Sequence, residues 1–239
     1  MLPSRLATLR DAVTLQPHGA PLAWWLVRLP LRVALWGVLR MGLRIRVEGE
    51  RVHGPTVIVS NHPHVVDGLV VLLTDPTMRP VARWHEGALL RAGMWVADCV
   101  VTTTGTPVRP HRGAYADALA HLHAGGRVWI APEGGVQREL ALRHPRTGAV
   151  RLAHAAGVPV QVLAVLHEHH PGPDLASWRS RRRPRIVLRW GPVLRTDGSV
   201  DADIDHMMTA LAETAGATWR TRTTGKPTGR ADEAVPDPA

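Results

Sequence analysis

Hydrophobic and polar positions along the chain fall into short apolar runs separated by amphipathic spans. Thr56-Val-Ile-Val-Ser60 and Arg127-Val-Trp-Ile-Ala131 have no polar face, the pattern of strands buried on both sides. Val158–Leu166 and Pro184–Trp190 read as strands too, Arg44–Glu48 alternates with period two, and Ala82–Trp84 and Val96–Thr102 are further candidates. Between them lie helical spans at residues 64–74, Gly87–Met94, Arg112–Ala124, Thr147–Ala156 and Asp201–Trp219, with Gly125-Gly126 and Gly157 as stops. Strands alternating with helices predict an α/β domain over residues 44–220, with a mostly parallel central sheet flanked by helices. Residues 221–239 are polar and rich in Thr, Gly, Asp and Pro, and are expected to form a disordered tail. No internal repeat is present.

Residues 20–43 are the most apolar stretch. A membrane-spanning helix needs about 20 predominantly apolar residues. Here Arg28, Arg32 and Arg40 interrupt the run, and Pro30 should kink or split it. Steps of four and eight keep the three arginines within roughly one third of a helix circumference. Trp24, Trp25 and Trp36 suit a headgroup boundary. Residues 1–43 therefore read as an N-terminal membrane-associating segment, a helix or helix pair lying in the interface. The competing reading is an amphipathic helix packed on the protein's own core.

Composition narrows the partners. The 239 residues, 45% hydrophobic, suffice for one sizeable core. The formal charge is +9, nearly all the cations are arginine, and Lys226 is the only lysine. Such a chain is drawn to nucleic acid, anionic lipid or a phosphorylated substrate. No nucleic-acid motif is present and stacking aromatics are few, so no nucleic-acid partner is expected, and lipid or phosphate is favoured. The basic stretch Ser177–Arg185 is a solvated loop that could also meet headgroups. A single cysteine, Cys99, allows no intrachain disulfide and fits a reducing compartment. Met1 to Gln16 lacks the continuous apolar region of a secretory leader.

Candidate chemistry sits directly after the Thr56–Ser60 strand, in Asn61-His62-Pro63-His64-Val65-Val66-Asp67. Ligand sites of α/β sheets gather beyond the carboxyl ends of strands. Asp67, at the start of the next helix, can turn back onto His62, hold the proton on one ring nitrogen and leave the other as a general base. That is the base-and-orienter half of a triad, with the substrate's own hydroxyl as nucleophile. A plain capping or surface pair is the bland alternative. A metal-dependent hydrolase using His62, His64 and Asp67 is another. The dinuclear H-x-H-x-D-H pattern requires Asp at 66 and His at 67, where Val66 and Asp67 stand, so that register fails. His167-Glu168-His169-His170 adds ligand types without helical spacing and reads as a polar loop.

The block Asn61-His62-x-x-x-x-Asp67 resembles the N-H-x-x-x-x-D block of the glycerolipid acyltransferases typified by 1-acylglycerol-3-phosphate acyltransferase. Three further segments follow in that family's order, across residues 45–195. Gly105-Thr-Pro-Val-Arg109 stands where the family ends its second block in a phosphate-binding arginine, with Arg112 as a fallback. Pro132-Glu133-Gly134-Gly135-Val136-Gln137-Arg138 resembles the family's P-E-G-T-R-S. Gly135, Val136 and Gln137 replace its Thr, Arg and Ser, and Arg138 follows two positions late. Val158-Pro159-Val160-Gln161-Val162-Leu163 resembles the fourth block without its second proline.

The resemblance implies acyl transfer with His62 and Asp67 as the catalytic dyad and Asn61, Arg109, Glu133, Gly134, Gly135 and Arg138 binding substrate. The donor would be acyl-CoA or acyl carrier protein as co-substrate, with no other cofactor and no metal. The acceptor would be a lysolipid, by default lysophosphatidic acid, in phospholipid biosynthesis. Backbone N–H groups near residues 133–135 would meet the oxyanion. The expected place is the cytoplasmic face of the cell membrane, peripheral or monotopic. The altered third block also fits a lipid-binding, catalytically silent relative.

Overall fold

A computed structural model describes residues 22–64, 67–72, 75, 78–83, 88–102, 112–136, 141–168 and 185–219. In chain order the elements are α1 (Leu22–Gly42), β1 (Arg44–Glu48), β2 (Thr56–Ser60), α2 (Asp67–Leu72), β3 (Met78–Arg83), α3 (Ala88–Val96), β4 (Val100–Thr102), α4 (Arg112–His123), β5 (Arg127–Ile130), α5 (Gly148–Ala156), β6 (Val160–His167), β7 (Arg185–Leu194) and α6 (Val200–Ala215). The strands form one seven-stranded sheet, ordered β1-β7-β6-β2-β5-β3-β4. Every neighbouring pair is parallel except β6 and β7. The expected α/β architecture with a mostly parallel sheet is what the chain forms.

Strand alternation divides the core in two. Val57, Val59, Val128, Val160 and Val162 face one side, where α4, α5 and α6 cover them with Leu122, Leu152, Met207, Met208 and Leu211. Ile58, Trp129, Leu163 and Val165 face the other, against Val70 and Val71 of α2, Met78, and Ile186 and Leu188 of β7. Each fully buried side chain of this size contributes roughly 1.5–3 kcal/mol of transfer free energy. A buried Asp75 closes the amino-terminal edge of the sheet, with Arg127 Nη1 at 2.6 Å and Arg51 Nη1 at 3.0 Å.

Several boundaries differ from the sequence expectation for local reasons. β3 begins at Met78 rather than Ala82 and runs through Pro80, which lies where the strand passes from β5 to β4 as its partner. β7 continues past Trp190 because Gly191-Pro192 falls in the irregularity opposite Gln161 and Leu163, where a proline is tolerated. α6 stops at Ala215, not Trp219. Gly216 adopts φ 63°, and Gly216 and Ala217 N–H close the end on Glu213 and Ala212 carbonyls. α1 runs 21 residues with Pro30 inside, as one helix rather than a pair. Leu26, Val27, Leu31, Val33, Val38 and Met41 are exposed on it. Among the described residues no helix is long and apolar enough to cross a membrane. The expected tail at 221–239 and most of the basic Ser177–Arg185 loop lie outside the described residues.

Candidate active site

β6, β2 and β5 are adjacent and mutually parallel, so their carboxyl ends open on the same edge. Asn61 and His62 follow β2, Pro132-Glu133-Gly134 follows β5, and His167 ends β6. Three segments up to about 100 residues apart in sequence thus reach one place.

Asn61 makes the junction rigid. Its Nδ2 donates to the Val165 carbonyl at 2.9 Å, and its Oδ1 accepts from Val165 N–H at 2.7 Å. The side chain thereby continues the β2–β6 ladder one residue past the Ser60–Leu163 pair. Asn61, expected among the substrate-binding residues, has a strand-positioning contact here.

The chain then curls into α2. Asp67 N–H donates to the His64 carbonyl at 3.0 Å, and Asp67 Oδ2 accepts from His64 N–H. The same Oδ2 lies 3.2 Å from His62 Nδ1. An ionised carboxylate only accepts, so Nδ1 carries the proton and Nε2 is the basic nitrogen. Oδ1 of Asp67 lies 2.8 Å from His167 Nε2. Burial alone would push the Asp67 carboxyl up. Hydrogen bonds from His167 and His62, with their charge, outweigh it and hold the group below the ordinary carboxylate range. The histidine side chain is 17% exposed and the aspartate 0%, so the base meets solvent while its orienter does not.

Trp129 supports the imidazole. Its Nε1 donates to Ser60 Oγ at 2.8 Å, which fixes the indole, and the His62 ring stands edge-on to it with centroids 5.8 Å apart. Nothing in the local sequence linked Trp129 to His62. The parity of β2 and β5, which puts Ser60 and Trp129 on one face, was the available signal.

Glu133 lies at the same edge, largely buried. Oε2 accepts from Arg143 N–H at 3.0 Å, and Oε1 is buried without a hydrogen-bond partner among the described residues. Burial pushes the Glu133 carboxyl above its usual range, against the Arg143 N–H and the charges of His62 and Arg143. Gly134 has φ 74°, and a Cβ there would lie 2.8 Å from Arg146 Nε. Its N–H donates to the Ala131 carbonyl at 3.0 Å, which withdraws it from the expected oxyanion donors. Gly135 has open space where a side chain would go. Arg146, outside the matched blocks, lies with its guanidinium over this turn.

Arg109 and Arg138 lie outside the described residues, and Arg112 is the first residue of α4. His64 is buried, with its ring tilted against that of His167 at 5.8 Å. The His62, His64 and Asp67 set expected for a hydrolase does not converge: among the described residues no three His, Cys, Asp or Glu side chains group as metal ligands. His167, expected in a loop, ends a strand instead. The antiparallel ladder with β7 extends to the His167–Ile186 pair, and Glu168 N–H reaches the Arg185 carbonyl at 3.2 Å.

Comparison with known proteins bears on the family and the fold. The sequence family described as Acyltransferase matches residues 44–166, which include Asn61, His62, Asp67, Trp129 and Glu133 and end one residue short of His167. No curated protein sequence matches the chain. Among solved structures, the fold is similar to the 1-acyl-sn-glycerophosphate (LPA) acyltransferase PlsC from Thermotoga maritima. The TM-score is 0.54 at 15% sequence identity, over 87% of this chain and 87% of that one.

Proposed function

From the premise that the chain belongs to the acyltransferase family, we propose that it moves a fatty acyl group from a thioester to the hydroxyl of a lysophospholipid. The observation that carries this reading is the His62–Asp67 pair at 3.2 Å, on the edge where β2, β5 and β6 end together. His62 Nε2 takes the proton of the acceptor hydroxyl. Asp67 keeps Nδ1 protonated and stabilises the imidazolium that forms. The alkoxide attacks the thioester carbonyl, and the tetrahedral intermediate collapses with the thiolate as leaving group. The imidazolium then returns its proton to that sulfur, and His62 ends the cycle neutral. No covalent enzyme intermediate is required.

The acceptor favoured is lysophosphatidic acid and the donor acyl-CoA or acyl carrier protein. The net charge of +9 and the arginines Arg143 and Arg146 beside Glu133 and Gly134 support an anionic acceptor. The exposed apolar side chains of α1 support a peripheral or monotopic position on the cytoplasmic face of a membrane, with the acyl chain entering from the lipid.

The test is incubation of the purified protein with labelled acyl-CoA and a panel of lysolipids, with and without a phosphate headgroup. Label should pass to lysophosphatidic acid, and His62→Ala should lower the rate by about 10²–10⁴-fold, the usual worth of a general base. Near-wild-type turnover by His62→Ala would overturn the dyad. No transfer from any donor to any acceptor would point to a catalytically silent lipid-binding protein.

A further inference from the structure

Asp67 is shared by two histidines, and the second has no part in the mechanism above. His167 projects from the last position of β6, on the sheet face that also carries Leu163 and Val165. Its side chain is 1% exposed, and Nε2 lies 2.8 Å from Asp67 Oδ1. It therefore has no route to a substrate, but it touches the group that orients the base.

We propose that His167 is a positioning residue for acyl transfer: its Nε2–H holds Asp67 Oδ1, so that Oδ2 stays turned toward His62 Nδ1. A carboxylate on the first residue of a short helix can rotate about two side-chain torsions. Three donors remove that freedom: His62 Nδ1 and His64 N–H on Oδ2, and His167 Nε2 on Oδ1. The His167 bond is the one that comes from outside the 61–67 turn, so it ties the dyad to the sheet. Without it the fully buried carboxylate would keep two donors from its own loop and lose the third lone-pair direction to an apolar neighbourhood.

The consequence is electrostatic as well as geometric. The active form of the pair has an ionised Asp67 and a neutral His62. Any donor to Asp67 favours that form over the one carrying an extra proton, whichever residue takes the proton. Removing His167 must therefore raise the apparent pKa of the pair and move the acid limb of activity to higher pH. Among the described residues the other titratable groups facing this pair are His64, whose ring packs on His167, and Glu133, whose charge acts on His62. Glu168 follows His167 and is paired with Arg185 at 3.3 Å. None of these residues is substituted in the variants below, and His167→Gln tests whether loss of the ring against His64 matters apart from the donor.

The proposal rests on the dyad reading, and the experiment keeps the two apart. Acyl transfer is measured across pH for wild type, His62→Ala, His167→Leu and His167→Gln, whose amide N–H can replace the Nε2 donor. In His167→Leu, kcat should fall about 10- to 100-fold, part of what general-base catalysis is worth, with KM for the thioester within about twofold. The acid limb of kcat/KM should rise by at least about half a pH unit, and His167→Gln should return it toward wild type. Loss of activity in His62→Ala with wild-type rates in His167→Leu would overturn the positioning role alone. A uniform loss in both His167 variants with an unmoved acid limb would show a packing role instead. Should His167→Leu fail to fold, nitrogen-15 NMR of the wild-type imidazoles decides. A protonated Nε2 on His167 supports the proposal, and a bare Nε2 there overturns it.

Discussion

Asn61 and Val165 are joined by two hydrogen bonds, 2.9 Å from Asn61 Nδ2 to the Val165 carbonyl and 2.7 Å from Val165 N–H to Asn61 Oδ1. The asparagine side chain thus does the work of a backbone pair, one residue before the base. Asn61→Ala should lose about 2 kcal/mol, near 1 kcal/mol for each bond, and leave the Val165 groups to find water. The same variant should lose kcat, because His62 follows immediately. Chemical denaturation alongside kinetics checks both, and a stable, fully active Asn61→Ala would remove the strut from the account.

Glu133 gives a prediction with a definite sign. Its carboxyl binds a proton more tightly folded than unfolded, because it is buried with Oε1 unpartnered among the described residues. Such a group opposes folding once pH rises through its raised native value, and ceases to do so below the ordinary carboxylate value of about 4.3. Glu133→Gln should therefore gain stability relative to wild type at neutral pH, and the gain should shrink as pH falls toward 4. Thermal melts across that range test it. A pH-independent difference would show that burial of the charge is not the cause.

Gly134→Ala should destabilise by about 1–2 kcal/mol, the usual cost of a left-handed conformation for a residue with a Cβ. The new methyl group would also meet Arg146 Nε at 2.8 Å, so the arginine must swing away. Gly135→Ala, at the next residue but with open space, should be silent by the same melt. Equal costs at both positions would contradict the turn described here.

α1 predicts membrane behaviour. Met41, 71% exposed, and Leu26, 68% exposed, belong to an apolar surface that the rest of the domain leaves uncovered. Removing residues 22–42 should reduce co-sedimentation with anionic vesicles severalfold, and high salt should weaken what remains. Undiminished sedimentation of the truncated protein would refute this role for the helix.

The legible and illegible parts of this protein divide by sequence distance. β2 and β5 could be read as buried strands because their residues are apolar on both faces, and α5 because Gly157 ends it. The His62–Asp67 pair could be read because it is local and follows a strand. The apolar pattern ends β6 at Leu166, because His167-Glu168-His169-His170 is a polar run, whereas the pairing of His167 comes from β7. That one residue hid the third donor to Asp67. Continuing the alternation Leu163, Val165, His167 would have put it on the right face, but no spacing in the chain links 67 to 167. Likewise β3 and β7 run through Pro80 and Pro192, beyond the bounds expected at Ala82 and Trp190, one at a change of partner and one in a bulge. The second-block and third-block arginines, Arg109 and Arg138, fall outside the described residues.

The brief bridge between Ala141 and Thr218 has a practical implication for anyone shortening this chain. Leu142 N–H is also held by the Thr218 carbonyl at 3.0 Å, and His144 stacks on Trp219. One residue along lies Arg143, whose N–H holds Glu133. The last described residues, beyond α6, are thus a brace behind the Glu133 carboxylate. A stop codon after Gly216 would remove no active-site side chain, yet its effect would be felt at Glu133.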